Sequence, residues 1–185
     1  MMAKNFLNFL VFQAAWFITV LSAAAGKPYA GVVFTFAWMI IHLQLFTTKK
    51  VQELGLIMFA AVLGFIVDST QVLLGVFSFP PAAAWGWPTT LWMMALWINL
   101  AATLNYSLSW LKNSYILAAV LGAVSGPLAY YAGSRLGAMI FEMPWSLAAV
   151  SLQWFVCMPL LLYFARSGFL VRRKSICVNS AVVGE

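Results

Sequence analysis

Apolar residues run through this chain in long blocks separated by short polar or proline-bearing breaks. The breaks are "GKPY" at 26–29, "TTKK" at 47–50, "FPPAAAWGWP" at 79–88, "WLKN" at 110–113 and "EMP" at 142–144. Six apolar runs lie between them, at roughly 5–25, 29–47, 52–76, 88–108, 114–135 and 144–165. Each is close to the ~20 residues a helix rising 1.5 Å per residue needs to cross ~30 Å of hydrocarbon. No stretch alternates like a barrel strand, and a backbone in lipid must satisfy its own hydrogen bonds, so the runs predict helices. The expected fold class is all-α. It is a polytopic membrane protein, a compact bundle of six transmembrane helices over 1–168, with a basic cytoplasmic tail at 169–185.

Composition strengthens this reading. The chain is 64% hydrophobic and 8% charged, with a mean hydropathy of +0.95. A soluble domain carries about a quarter charged residues, so this chain lacks the polar surface to cover a globule in water. A net charge of +6 in a soluble protein points to nucleic acid. Here the basic residues separate apolar runs without aromatic interleaving, so no nucleic-acid partner is expected and they read as topology determinants.

Lys4, Lys49, Lys50, Lys112, Arg166, Arg172, Arg173 and Lys174 fall on one side of a six-span arrangement, Lys27 and Arg135 on the other. That bias predicts cytoplasmic N- and C-termini and favours six spans over five. The first 26 residues resemble a secretory signal, but their apolar core is long and interrupted by Gln13, so a retained anchor is expected. "RRK" at 172–174 reads as a positive-inside anchor. Three spans on each side of the central loop would make inverted halves, as in many transporters. The sequence echo between "AWFITVLSAAAG" (15–26) and "LWINLAATLNYS" (96–107) is faint.

Candidate chemistry centres on Asp68, an acid inside an apolar run. An ionised aspartate at a helix centre costs about 2.5–3.5 kcal/mol on insertion scales. Ala61, Gly64, Asp68, Gln71 and Gly75 follow a 3-4-3-4 spacing, forming a small, polar stripe suited to facing protein. Asp68 is therefore expected inside the bundle, with Arg135 at the end of the fifth span as its counter-charge. These two are the candidate catalytic residues. A buried structural clamp and a proton or substrate site are equally weighted roles for Asp68.

The fifth span carries a glycine stripe at Gly122, Gly126, Ala129, Gly133 and Gly137. Pro127 should free a carbonyl near Ala123. Gln71, Asn99, Thr103, Tyr130 and Gln153 are the candidate substrate-binding residues, with interhelical hydrogen bonding as the plainer role for each. Asn99, Thr103 and Tyr106 share a face of the fourth span, and Gln153 and Cys157 share one of the sixth. His42, the only histidine, sits one turn from Trp38 and several turns from the depth of Asp68, so no His–Asp dyad is expected. Cys157 and Cys177 lack metal-ligand spacing, and no cofactor and no metal site is expected. The tryptophan- and proline-rich loop 77–92 is either an interfacial belt or a lid.

"LGFIVDS" (63–69), "LWINLAATLN" (96–105) and "GPLAYYAGSRLGA" (126–138) together resemble a family of small bacterial multi-pass inner-membrane proteins, domain-of-unknown-function family 2878. The resemblance implies the bacterial inner (plasma) membrane. Family members are often encoded beside acyl-modifying enzymes, which implies lipid metabolism, membrane lipids as ligands and a lipid-modifying enzyme as partner. It transfers no catalytic residue. Three functions follow as expectations. Lipid or fatty-acyl handling, the first, requires a cavity open sideways to lipid. A small transporter, working as a homodimer, requires two inverted halves. A structural or partner-binding subunit requires the intramembrane polar groups to bond one another.

Overall fold

A computed structural model describes residues 2–167. The expected tail at 169–185, with Arg172, Arg173, Lys174 and Cys177, lies outside the described residues. Six α-helices follow in order: α1 (Met2–Ala24), α2 (Pro28–Leu45), α3 (Lys50–Leu73), α4 (Leu91–Ala101), α5 (Tyr115–Arg135) and α6 (Ser146–Ser167). A short 3₁₀ turn, Ser109–Asn113, precedes α5. Two-residue strands β1 (Phe77–Ser78) and β2 (Ile140–Phe141) pair antiparallel, Phe77 opposite Phe141, tying the α3–α4 loop to the α5–α6 loop. We call the end where α1 begins basal and the other distal.

The helices α1, α3 and α5 finish at the distal end in the same way. Gly26, Gly75 and Gly137 adopt φ of 73°, 68° and 88°, and the amide after each glycine returns to the carbonyl five residues back. This is the glycine-closed helix end that only a residue without Cβ forms at no steric cost. Pro28 opens α2 at the position where a missing amide proton costs nothing.

Five helices are long and apolar enough to cross a membrane. Their outward faces are also apolar: Phe6, Leu10, Val33, Ile40, Val62, Leu128 and Leu152 are all exposed. Such a surface is stable in lipid and not in water, so this is a membrane protein.

The expected fourth span, 88–108, is corrected. Its helix covers only Leu91–Ala101, and residues 102–108 continue as tight turns. The run "TLNYSLS" explains the break, since Thr, Asn and Ser side chains compete for nearby backbone groups. Thr103 Oγ1 donates to Leu100 O at 2.6 Å and Ser109 Oγ to Tyr106 O at 2.6 Å. Non-helical backbone at membrane depth is tolerated only when protein surrounds it. Here α1 supplies the partner: Asn8 Nδ2 donates to Ala102 O at 3.0 Å, and Ser107 Oγ donates to Asn8 Oδ1 at 2.8 Å. Asn8 itself is fully buried.

The short helix α4 is the core of the assembly, packed on α1, α2 and α3, while α5 packs along α6. The two halves do not repeat each other's packing. The α1–α2 contact is extensive and α4–α5 is marginal or absent, whereas α5–α6 is extensive and α2–α3 slight.

Two glycines set the spacing between layers. The indoles of Trp97 (α4) and Trp154 (α6) stack with centroids 4.5 Å apart and planes 13° apart. A Cβ on Gly64 of α3 would lie 2.2 Å from Trp97, and one on Gly126 of α5 would lie 2.2 Å from Trp154. The expected glycine and small-residue stripes thus act as seats for indole rings. Pro127 is accommodated within a continuous α5, and the Ala123 carbonyl accepts from Ser151 Oγ of α6 at 2.7 Å.

The stack has no slack on either side. Gly64→Ala and Gly126→Ala should each lower stability by about 1–3 kcal/mol, the usual cost of overpacking a core. Val62→Ala, on an exposed face of α3, should be nearly neutral. Thermal unfolding followed by size-exclusion chromatography in detergent checks this; equal midpoints for all three would remove the stack as a constraint.

Candidate functional site

Asp68 is fully buried, as its stripe predicts: Ala61, Gly64 and Gln71 are buried beside it. Its partners are not the expected ones. Trp97 Nε1 donates to Oδ2 at 2.8 Å, Tyr130 Oη to Oδ1 at 2.7 Å and Gln153 Nε2 to Oδ1 at 2.9 Å. Gln71 Nε2 donates to Gln153 Oε1 at 2.8 Å, completing the network. One carboxyl therefore joins α3 to α4, α5 and α6 through neutral donors.

Arg135 does not pair with Asp68. It is exposed at the end of α5, and the one close acid–base contact among the described residues is His42–Glu53. The reason is rotational. On α5, Tyr130 carries the face turned to α3, while Arg135 lies about 140° away around the helix and more than a turn further along it.

The other candidates divide. Gln71, Tyr130 and Gln153 belong to the Asp68 network. Asn99 instead donates from Nδ2 to the Phe12 carbonyl of α1 at 3.0 Å. Thr103 bonds the Leu100 carbonyl in the turn after α4, so Asn99, Thr103 and Tyr106 do not form one helical face.

A cavity of about 490 Å³ lies between α1 and α5, floored by α4 and α6. α1 contributes Phe12, Gln13, Trp16, Phe17 and Val20; α5 contributes residues from Leu121 to Gly133, with Ser125 and Ala129 between. Trp97 and Tyr130 line it, whereas Asp68 and Gln153 stand behind them and do not. None of its lining residues is charged. Lining residues Phe17, Leu121 and Trp110 are exposed on the bundle's side, so the cavity is a groove open laterally. At its distal end α1 and α5 close: a Cβ on Gly133 would meet Val20 Cγ1 at 4.0 Å.

The loop 77–92 is partly packed into the bundle and partly exposed. Phe77 and Ala83 are buried and Trp92 Nε1 donates to Ala83 O at 3.0 Å, while Trp87 is 79% exposed.

A second polar cluster, at the basal end, escapes the sequence reading. His42 Nε2 lies 3.0 Å from Glu53 Oε1, with both residues buried. Asn105 Nδ2 donates to Glu53 Oε2 at 2.7 Å, and Lys112 Nζ donates to Asn105 Oδ1. The rings of Trp38, Phe46 and Tyr106 surround the imidazole. The available signal was the only histidine and one of four acids flanking the "TTKK" turn, positions that a helical hairpin sets side by side. The cluster fixes the non-helical 102–108 segment against the α2–α3 hairpin. Among the described residues no group of three or more His, Cys, Asp or Glu is placed to hold a metal ion.

Burial pushes the Lys112 ammonium below its ordinary pKa; Glu53 offsets part of this and Lys49 adds to it. Between the lowered folded value and the unfolded value near 10.4, the unfolded chain binds more protons, so this group makes stability rise with pH. Lys112→Met should flatten the change in thermal midpoint between about pH 8 and about pH 10. A rise of the same size in the variant would assign it elsewhere.

The Asp68 network yields its own test. Asn at 68 sets an amide donor against one of three existing donors, which costs about 1–3 kcal/mol, and Leu strands all three donors. Unfolding midpoints should fall in the order wild type, Asp68→Asn, Asp68→Leu. A stable Asp68→Leu protein would show that the network does not hold the bundle.

No curated protein and no solved structure matches this chain. A family model described as "Protein of unknown function (DUF2878)" matches residues 5–160, nearly all of the described helices, and the chain belongs to that family.

Proposed function

We propose that this protein binds a lipid acyl chain in the groove between α1 and α5 and presents it to a lipid-modifying enzyme. The observation that carries the reading is the groove itself: apolar, uncharged and open on a side that meets hydrocarbon. Its volume is within the about 300–1,000 Å³ of small-molecule sites. Leu121 to Gly133 spans about 18 Å of helix.

Asp68 acts here by position. It holds Trp97 and Tyr130, two walls of the groove, and is itself shut off from the ligand. That favours binding and presentation over catalysis. Transport between inverted halves is the weaker reading, because the two halves pack differently. In this proposal 91–108 completes a sixth span, and the basal end faces the cytoplasm of the bacterial inner membrane. Lys4, Lys49, Lys50, Lys112 and Arg166 support that orientation.

The test is photolabelling in nanodiscs with a phospholipid bearing a diazirine in its acyl chain. Adducts should concentrate on Phe12, Leu121, Ser125 and Ala129 over the outward residues Val33, Ile40 and Val62. Ala129→Trp should fill the groove and reduce those adducts severalfold without altering labelling of α2 and α3. Uniform labelling on all faces, unchanged in the variant, would end the proposal.

A further inference from the structure

Two exposed cations, Arg135 and Lys27, lie at the distal ends of the two helices that flank the groove, α5 and α1. Along α5, Leu121, Ser125, Leu128, Ala132 and Arg135 follow a 4-3-4-3 spacing, one line on the helix surface. Leu121, Ser125 and Ala132 of that line border the groove and Leu128 lies just outside it, so Arg135 stands at the groove's outer margin, one turn beyond its distal end. Arg135 is exposed and has no ion pair or side-chain hydrogen bond among the described residues. Lys27, immediately beyond α1, is also exposed, and its bonds are made by its backbone alone. Glu142 is the acid at this end among the described residues, and it accepts from Ser78 Oγ on the paired loop.

The level along the bundle is also informative. Tyr29, Trp85, Trp87 and Trp145 are exposed at the distal end, the aromatic belt that sits among lipid headgroups. Arg135 thus lies at headgroup depth, while the groove beside it lies at chain depth.

We infer that the groove takes an anionic lipid, its chain between α1 and α5 and its oxyanion on the Arg135 guanidinium, with Lys27 adding charge. This rests on the acyl-chain reading of the groove and adds the chemistry of the head. A guanidinium fork matches either a phosphodiester or a carboxylate, so a phospholipid and a free fatty acid share the required chemistry. The groove's uncharged lining leaves the ligand's charge no other partner inside it.

The experiment is competition against the diazirine photoprobe in purified, full-length protein. Oleate is compared with oleyl alcohol, and phosphatidylglycerol with phosphatidylcholine. On the wild type the anionic member of at least one pair should compete about tenfold better, as expected for one charge-assisted contact. The pair that separates identifies the source: fatty acid, phospholipid or both. Arg135→Gln should abolish the preference and Arg135→Lys should retain part of it. Both variants should elute as wild type, since the side chain has no partner to lose. Equal competition by anionic and neutral members on the wild type overturns the inference while groove labelling leaves the acyl-chain reading standing. So does a preference that survives Arg135→Gln. If no lipid displaces the probe from the groove, both readings fall together.

Discussion

A carboxyl group with no access to solvent and no cation beside it is the constraint around which this bundle is arranged. Asp68 is on α3, and its two oxygens accept from one donor on each of α4, α5 and α6. In hydrocarbon the cost of leaving such a group unpaired is several kcal/mol, so the four helices are committed to one relative placement. The donors are neutral, which avoids the desolvation of a second charge that an arginine partner would impose. Removing the arginine from the network also leaves it at the surface, where its charge remains available.

The indole that reaches Asp68 imposes a second condition. Trp97 can direct Nε1 at the carboxylate because Gly64, one turn earlier on α3, leaves room for the ring. Trp154 then covers its other face and rests on Gly126 of α5. Hydrogen bonding and packing therefore make the same demand at Gly64 and Gly126, while Gly122 of α5 meets the α6 backbone itself: a Cβ there would lie 2.6 Å from the Trp154 carbonyl oxygen. GxxxG spacing in a span signals close approach, and in Gly122-x-x-x-Gly126 the first glycine admits the α6 backbone and the second the Trp154 indole.

Five of the six helices were legible as apolar runs, with ends within three residues of the structure, because lipid imposes a length on each. The stripe through Gly64, Asp68 and Gln71 was legible for a related reason: small and polar residues at 3-4 spacing define a face that lipid would penalise. What that face meets was not legible. The pairing of Asp68 with Trp97, Tyr130 and Gln153 depends on helix order and rotation, which periodicity along one helix does not encode. Charge complementarity suggested Arg135, but its place around α5 turns it away. The shortened α4 was hidden because "LWINLAATLNYS" is apolar enough to span; its break depends on Asn8, 94 residues earlier, satisfying the Ala102 carbonyl. Glu53 was overlooked because an acid near a basic loop looks like solvated surface. It is buried against His42 and Asn105, contributed by other segments, and three rings in turn surround that histidine.

These same placements account for the groove. α5 spends its smallest face on Trp154 and so packs along α6, with little reach toward α1. α1 is drawn the other way, onto α2 and α4, by Asn8 and by the Asn99 contact to Phe12. Two helices pulled toward different neighbours leave a gap along their length, narrowing where Val20 comes near Gly133 and bordered at the other end by Leu108, Trp110 and Leu111. Lipid is the solvent on that side. A gap open on that side is filled by the same hydrocarbon that covers the rest of the bundle's apolar surface. The polar network lies one layer behind the groove wall and keeps that wall in place, which is why a buried acid outside the groove's lining still governs the groove's shape.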